Sequence, residues 1–344
     1  MQAVRKLSPQ PGFELVDIPE PTPGPRDLLV KVRATSMCGT DVHIYNWDPP
    51  WSTGRMSPPK TIGHEVCGEV IELGSDITGF EVGDLISAES HIFDDTCDLC
   101  KTNNKHICRN VKFYSIDTDG FWAEYALIPV VSAWKNPKDM NPEIATLQES
   151  MGNSVYTVAA SNVKDKDVAI FGLGPTGLFS VGIAKALGAK TVYAVAGSKI
   201  HLDIAKKMGA DVIINRHDGN PEQVIMDATD KLGVDVSLEM AGKDVALQQA
   251  LNVLKPTGQV TILGLPTKEI SLDVSKQIVM KDVTVRGIYG RRIWETWELT
   301  TKLLRDGLDI SPIITHKLPL SKFQEGIDAM KSGESGKVVM FPGK

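Results

Sequence analysis

The sequence predicts an α/β protein in two parts, a small β-rich barrel and a doubly wound parallel sheet, and three observations support that expectation. Short strand-like runs punctuated by glycine occupy the first part of the chain, up to about residue 90. A strand, a glycine loop and a helix follow one another over 167–187. Strand candidates then recur at helical intervals, the pattern of a parallel sheet. At 344 residues the chain exceeds what one core usually fills, so two domains are expected.

Taken in order, Leu28–Val32 alternates as a strand, and Pro19 to Pro25 is a turn-laden connection. A second strand-like run, Cys67–Gly74, leads into Phe80–Ile86. Residues 91–120 hold Asp, Asn, Lys and Cys with little apolar periodicity, so a long loop needing internal support is expected there. Pro142–Leu147 opens a helix, and Val155–Ser161 belongs to another. Asp167–Phe171 is a short apolar strand that feeds Gly172–Gly177, with the helical pattern Leu178–Leu187 behind it. Further strands are expected at Thr191–Val195, Val212–Ile214, Val234–Leu238, Gln259–Leu263 and Val283–Ile288. A helix at Thr296–Leu304 and a strand at Lys337–Met340 close the chain, the strand as a candidate to return to the first domain.

Composition excludes several classes of function. A net charge of −6, with no cluster of Lys or Arg, argues against a nucleic-acid partner. No apolar run reaches the roughly 18 residues of a membrane span, and Met1–Lys6 lacks a signal-peptide pattern, so a cytoplasmic protein is expected. Three of the five cysteines fall at 97, 100 and 108, which suits reduced thiolates kept for metal better than a disulfide framework.

The chemistry concentrates in Cys38-Gly39-Thr40-Asp41-Val42-His43 and Gly63-His64-Glu65. Cys38, His64 and Glu65 offer a thiolate, an imidazole and a carboxylate, the donor set of a zinc site with an open position. Each alone reads equally as a buried thiol, a core histidine or a surface acid. Together with a dinucleotide site they fit zinc as the Lewis acid that polarises an alcohol oxygen before hydride loss. Thr40 and His43 lie beside the first ligand as a path for a proton, and Glu149 is a candidate fourth ligand or one that exchanges with water. Asp94-x-x-Cys97-x-x-Cys100-x7-Cys108 has the spacing of a closed structural zinc site with Asp94 in the fourth place, where Asp95 or a water is the alternative. Cys67 reads as a small buried apolar residue.

In Gly172-x-Gly174-Pro175-Thr176-Gly177 the glycines permit a tight turn, close approach of a pyrophosphate, and helix packing. About twenty positions on, where an acid would bind the ribose 2′-hydroxyl of NAD, the chain has Ala196-Gly197-Ser198-Lys199. With no carboxylate to repel a 2′-phosphate, and with donors in Ser198, Lys199 and His201, NADP is expected over NAD. The plain reading is a helix cap at Ser198 and a solvated charge at Lys199.

These residues, with Ile44–Asp48, Gly287–Arg291, Trp294–Trp297 and Gly307–His316, resemble the zinc-containing medium-chain alcohol dehydrogenases and, among them, the threonine-oxidising branch. The resemblance runs from end to end. It implies a GroES-like zinc-binding catalytic domain over 1–153 and 295–344 and a Rossmann cofactor domain over 154–294, assembled as a homotetramer. It carries over Cys38, His64 and Glu65 as catalytic-zinc ligands, Glu149 as an added ligand or relay acid, and Thr40 and His43 as the relay. It also carries over His91 on the substrate side, and Leu263, Leu265, Ile288 and Tyr289 near the nicotinamide. The implied activity is hydride transfer from a small secondary alcohol, threonine going to 2-amino-3-oxobutanoate. The alternative is an NADP-dependent polyol, sugar or simple secondary-alcohol dehydrogenase, since the same ligands and relay serve all of these. A cofactor-binding structural protein that has lost the chemistry is disfavoured by the intact ligand and relay sets.

Overall fold

The computed structural model describes residues 1–48 and 54–343. They form two units, Met1–Ser150 with Ile314–Lys344, and Met151–Ile313.

The first unit is β-rich. Its central strand, Asp27–Ser36, is flanked by Glu65–Leu73 and by the last strand of the chain, Lys337–Phe341. Tyr125–Pro129 also pairs with it. Leu85–Ala88 and Ala133–Lys135 extend the sheet on one side and Ile314–Pro319 on the other. A three-stranded sheet orders Glu14–Asp17, Gln2–Lys6 and Lys60–Thr61. One core joins Val4, Ile44, Ile62 and Trp122 to Val338 and Met340, so the two ends of the chain share one apolar interior. The expected strand at 80–86 begins only at Leu85, because Gly83 takes a positive φ of 91° and turns the chain just before it.

The segment 91–120 has more structure than its composition suggested. His91–Ile92 pairs antiparallel with Lys112–Phe113, and between them lie a turn of helix at Asp98–Lys101 and a 3₁₀ turn at Lys105–Ile107. These elements are too short for hydrophobic periodicity to reveal.

The second unit is a six-stranded, all-parallel sheet. Its spatial order is Val212–Asn215, Thr191–Ala196, Asp167–Phe171, Val234–Glu239, Leu254–Ile262 and Thr284–Gly287. Numbered along the chain that is 3-2-1-4-5-6, the doubly wound order that places ligands at the carboxyl ends of the central strands. The helix Glu295–Arg305, which the resemblance implied for the catalytic domain, groups with this unit instead. A reason lies just after it: Leu308 approaches Gly182 of the helix Pro175–Ala186 so closely that a Cβ there would come within 3.1 Å of Leu308.

Gly63 shows how sterics set the position of the residue that follows it. Its φ is 91°, and a Cβ would overlap the Trp122 indole, whose N–H reaches the Ser36 carbonyl at 3.3 Å. Gly63→Ala is therefore expected to cost roughly 2–4 kcal/mol through combined backbone strain and overpacking. Urea denaturation of the variant would show it, and an unchanged midpoint would contradict this account.

Candidate metal centre and cofactor site

Cys38 is the cap residue of the helix Gly39–Asn46, and its backbone N–H donates to Asp41 Oδ2 at 2.8 Å. The other oxygen, Asp41 Oδ1, stands 3.6 Å from His64 Nδ1 and has no hydrogen-bond partner of its own. One fully buried carboxylate thus fixes the backbone at Cys38 and faces the His64 ring. With Nδ1 turned toward Asp41, Nε2 is left for a metal. Donor atoms of Cys38, His64 and Glu65 lie within 4.8 Å of one another. That donor set fits zinc with an open position.

Burial opposes a charge on His64, but the Asp41 carboxylate outweighs it. With help from Cys38 it holds the imidazole pKa well above its ordinary value. Glu65 has no exposure and is pushed up by burial, against the pull of Lys337, while the Glu149 charge adds to the rise and His64 opposes it. Lys337 Nζ donates to Glu65 Oε1 at 2.7 Å and also to Oε2, and to the Met37 carbonyl at 2.7 Å. Ser36 Oγ donates to Glu65 Oε2 as well. Glu149 is buried but lies outside the close set of three donors, acting on Glu65 through its charge.

Thr40 Oγ1 is 3.8 Å from Cys38 Sγ, and His43 is exposed with Nδ1 3.2 Å from Asp48 Oδ2. Thr40 and His43 thus stand one turn of helix apart, the first beside Cys38 and the second in water. His91 is buried, its Nδ1 2.7 Å from Glu89 Oε1, which also accepts the His91 backbone N–H at 2.9 Å.

The second cluster holds Asp94, Cys97, Cys100 and Cys108, again with donor atoms within 4.8 Å of one another. Sγ of Cys97 is 3.5 Å from that of Cys100 and 3.8 Å from that of Cys108, and Cys100 Sγ is 3.5 Å from Asp94 Oδ1. Zinc–sulfur bonds of about 2.3 Å imply a tetrahedral edge of about 3.8 Å, so the donors fit. The backbone N–H of Thr96, the Asn110 amide and the Cys97 N–H hold Asp94 below the usual carboxylate range. Cys97 is lowered by backbone donors from Arg109 and Cys100, whereas burial pushes Cys100 up to about 12.

In the second unit the three fingerprint glycines have three different reasons. Gly172 has φ 95°, and a Cβ would strike Ala241. Gly174 caps the helix Pro175–Ala186 and has open space where a Cβ would be. Gly177 lies against the Gly172 carbonyl, which leaves no room for a Cβ. Thr176 is tied in by its carbonyl, which accepts from Ser154 Oγ at 2.7 Å. Glu239 Oε1 accepts from the N–H groups of Ala241 and Gly242 at 2.8 Å each, and its carbonyl accepts from Leu263 at 3.0 Å and Gly264 at 3.1 Å. That leaves Leu263 half-buried and Leu265 exposed, while Ile288 is buried and Tyr289 exposed. Ala196 ends its strand, and Ser198 caps the helix Lys199–Lys207 without a side-chain cap hydrogen bond. His201 is half-buried on the first turn of that helix.

Sequence reasoning missed Asp41, Glu89 and Lys337. Asp41, three residues after Cys38, sits in capping-box position and was detectable by that spacing. Lys337 had no local signal.

Residues 24–138 match the family described as alcohol dehydrogenase GroES-like domain, and residues 175–306 match zinc-binding dehydrogenase. L-threonine 3-dehydrogenase of Thermococcus kodakarensis is 46% identical over 346 residues, covering 100% of this chain and 99% of its own. The enzyme of that name from Symbiobacterium thermophilum is 43% identical, with 99% and 98% covered. A zinc-binding dehydrogenase from Sinorhizobium meliloti 1021, solved bound to NADP, superposes with TM-score 0.92 at 28% identity, covering 99% of each chain. The 2R,3R-butanediol dehydrogenase of Bacillus subtilis gives 0.89 at 27%, also covering 99% of each.

Two outcomes test this geometry. Removing the Lys337 charge leaves Glu65 buried without its counterion, so Lys337→Met is expected to cost about 3–5 kcal/mol. Adding Glu65→Gln should restore much of that loss in a double-mutant cycle followed by denaturation. Zinc uptake by the metal-free protein requires neutral His64, whose pKa Asp41 raises. Apparent affinity should therefore weaken as pH falls through that raised value, by about tenfold per pH unit for each proton displaced. Competition with a chromophoric chelator across pH measures this, and a flat profile would contradict it.

Proposed function

This chain belongs to the zinc-binding dehydrogenase family, in company with the L-threonine 3-dehydrogenases, and on that premise we propose that it oxidises L-threonine to 2-amino-3-oxobutanoate with NADP. It is an oxidoreductase acting on CH–OH groups and uses zinc and a nicotinamide cofactor. The observation that carries the reading is the convergence of Cys38, His64 and Glu65, with Asp41 behind His64, in a chain matched along its whole length by threonine dehydrogenases.

When bound, zinc polarises the alcohol oxygen and the nicotinamide accepts hydride. Cys38, His64 and Glu65 hold the metal, with Glu149 as a fourth or exchanging ligand. Asp41 orients the His64 ring, and Lys337 balances the charge of Glu65. Thr40 accepts the hydroxyl proton, and His43, exposed and paired with Asp48, passes it to water. Glu89 fixes the His91 ring for a polar contact with substrate. The Gly172–Gly177 loop holds the pyrophosphate, and Leu263, Leu265, Ile288 and Tyr289 flank the nicotinamide. Asp94, Cys97, Cys100 and Cys108 hold a structural zinc. A homotetramer in the cytoplasm completes the proposal, and light scattering tests the assembly.

The absence of an acid at Ala196 favours a second reading, an NADP-dependent polyol, sugar or simple secondary-alcohol dehydrogenase. The deciding experiment is an activity matrix of threonine, sorbitol, glucose and butane-2,3-diol against NAD and NADP. Highest kcat/KM for threonine with NADP is expected. Preference for a diol transfers the assignment to the second reading. His64→Ala should abolish turnover and leave cofactor binding in place. His43→Ala should lower kcat by about 10–100-fold near neutral pH, with the loss easing as hydroxide replaces the relay. A loss that deepens at high pH would remove His43 from it.

A further inference from the structure

Next to the expected adenosine end of the cofactor, two side chains from a different strand crowd the backbone. The strands Thr191–Ala196 and Val212–Asn215 run parallel, with Ala196 opposite Asn215. The register continues one residue further, since the Arg216 N–H donates to the Ala196 carbonyl at 2.9 Å. The His217 N–H donates to Asn215 Oδ1 at 3.1 Å, which turns the chain back across the end of the first strand. As a result, a Cβ placed on Gly197 would lie 2.5 Å from Arg216 Nε and 2.5 Å from His217 Nε2. Gly197 does not have a positive φ, so its backbone conformation is open to any residue. Glycine leaves that space open, and its occupants are the ends of two exposed, flexible side chains, a guanidinium and an imidazole.

Positive charge gathers at this point, with one acid, Asp218, next in the same turn. Lys199 opens the following helix, and Arg216 and His217 are exposed. Ala196 stands where an acid would oppose them. Among the described residues no carboxylate forms an ion pair with Arg216. Lysine and arginine gathered at the carboxyl end of adjoining strands, one residue from a helix start, raise the local potential. A dianion bound there relieves their mutual repulsion. Arginine's planar fork matches phosphate oxygens in pairs, which a lysine cannot do.

We propose that Arg216 and His217 are specificity-determining residues that take the 2′-phosphate of NADP from the side opposite Ser198 and Lys199, with Gly197 as the floor between them. The proposal rests on the NADP reading above and adds to it a second pair of ligands that the fingerprint region does not contain. Arg216 supplies a charge-assisted pair of N–H donors to phosphate oxygens, and His217 supplies one donor more.

The test uses the full-length, zinc-loaded protein and calorimetry with two probes, 2′,5′-ADP and 5′-AMP, which differ by the phosphate in question. The wild-type protein is expected to bind 2′,5′-ADP the more tightly. Arg216→Ala should weaken 2′,5′-ADP by about 10–100-fold, as loss of a charge-assisted contact implies, and leave 5′-AMP within about twofold. His217→Ala should weaken 2′,5′-ADP less, and Arg216→Lys should fall between wild type and alanine. In kinetics the KM for NADP rises with kcat nearly unchanged. Equal weakening of both probes by Arg216→Ala would mean that the guanidinium stacks on adenine, and it overturns the proposal. So does a preference for 2′,5′-ADP that survives both alanine variants, an outcome that leaves the NADP reading resting on Ser198 and Lys199. A wild-type protein that does not distinguish the probes refutes the NADP reading itself, and the proposal with it.

Discussion

The site in the first unit depends on a carboxylate and an ammonium that are both cut off from water. Glu65 and Lys337 are 272 residues apart in sequence, and each is about 1% exposed or less. Each ion separately is costly to bury, and the pair is tolerable because the remaining lone pairs and protons are also used. Ser36 donates to the carboxylate, and the Met37 carbonyl accepts from the ammonium. Those two residues immediately precede Cys38. The pair therefore joins the last strand, the strand Asp27–Ser36 and the start of Glu65–Leu73 at the point where the candidate ligands emerge. Its role is better described as fixing one arrangement of three chain segments than as adding net stability.

The same design recurs beside several of the candidate site residues. Asp41 faces His64, Glu89 faces His91, and Asn110 donates to Asp94. In the second unit Glu239 holds the loops at 241–242 and 263–264 with both its carboxylate and its carbonyl. In each case a ring or loop that rotates freely in a peptide is given one orientation by a neighbour that takes no part in the chemistry. At His64 burial alone would favour the neutral ring, and Asp41 reverses the sign. A metal held by Cys38 and His64 would take the place of that proton.

How much of this could be read from the chain depended on the range of the interactions. The glycine fingerprint was legible because each glycine answers a local demand: a positive φ at Gly172, open approach at Gly174 and helix contact at Gly177. The cysteine loop was legible from spacing alone, and its short helical turns were not, because four residues carry no period. The alternation of strands and helices fixed the doubly wound sheet. Lys337 was read only as part of a closing strand, since pairing across 272 residues leaves no trace in a local window. Arg216 and His217 were passed over for a related reason. They follow the neighbouring strand, and only the register between Ala196 and Asn215 brings them to Gly197.

The two halves of the chemistry are therefore specified by different kinds of information. The candidate residues for alcohol-oxygen chemistry lie in the first unit, where His64, His91 and Glu65 face the buried Asp41, Glu89 and Lys337. On the proposed reading cofactor choice falls to strand ends of the second unit, where Lys199, Arg216 and His217 are exposed. Substitutions there change a binding preference at little cost to the fold, since surface changes away from caps and cores are usually within about 0.5 kcal/mol. Gly197 leaves the space that the ends of the other two side chains fill. On the proposed reading Ala196, Gly197 and the basic pair opposite act together as one feature.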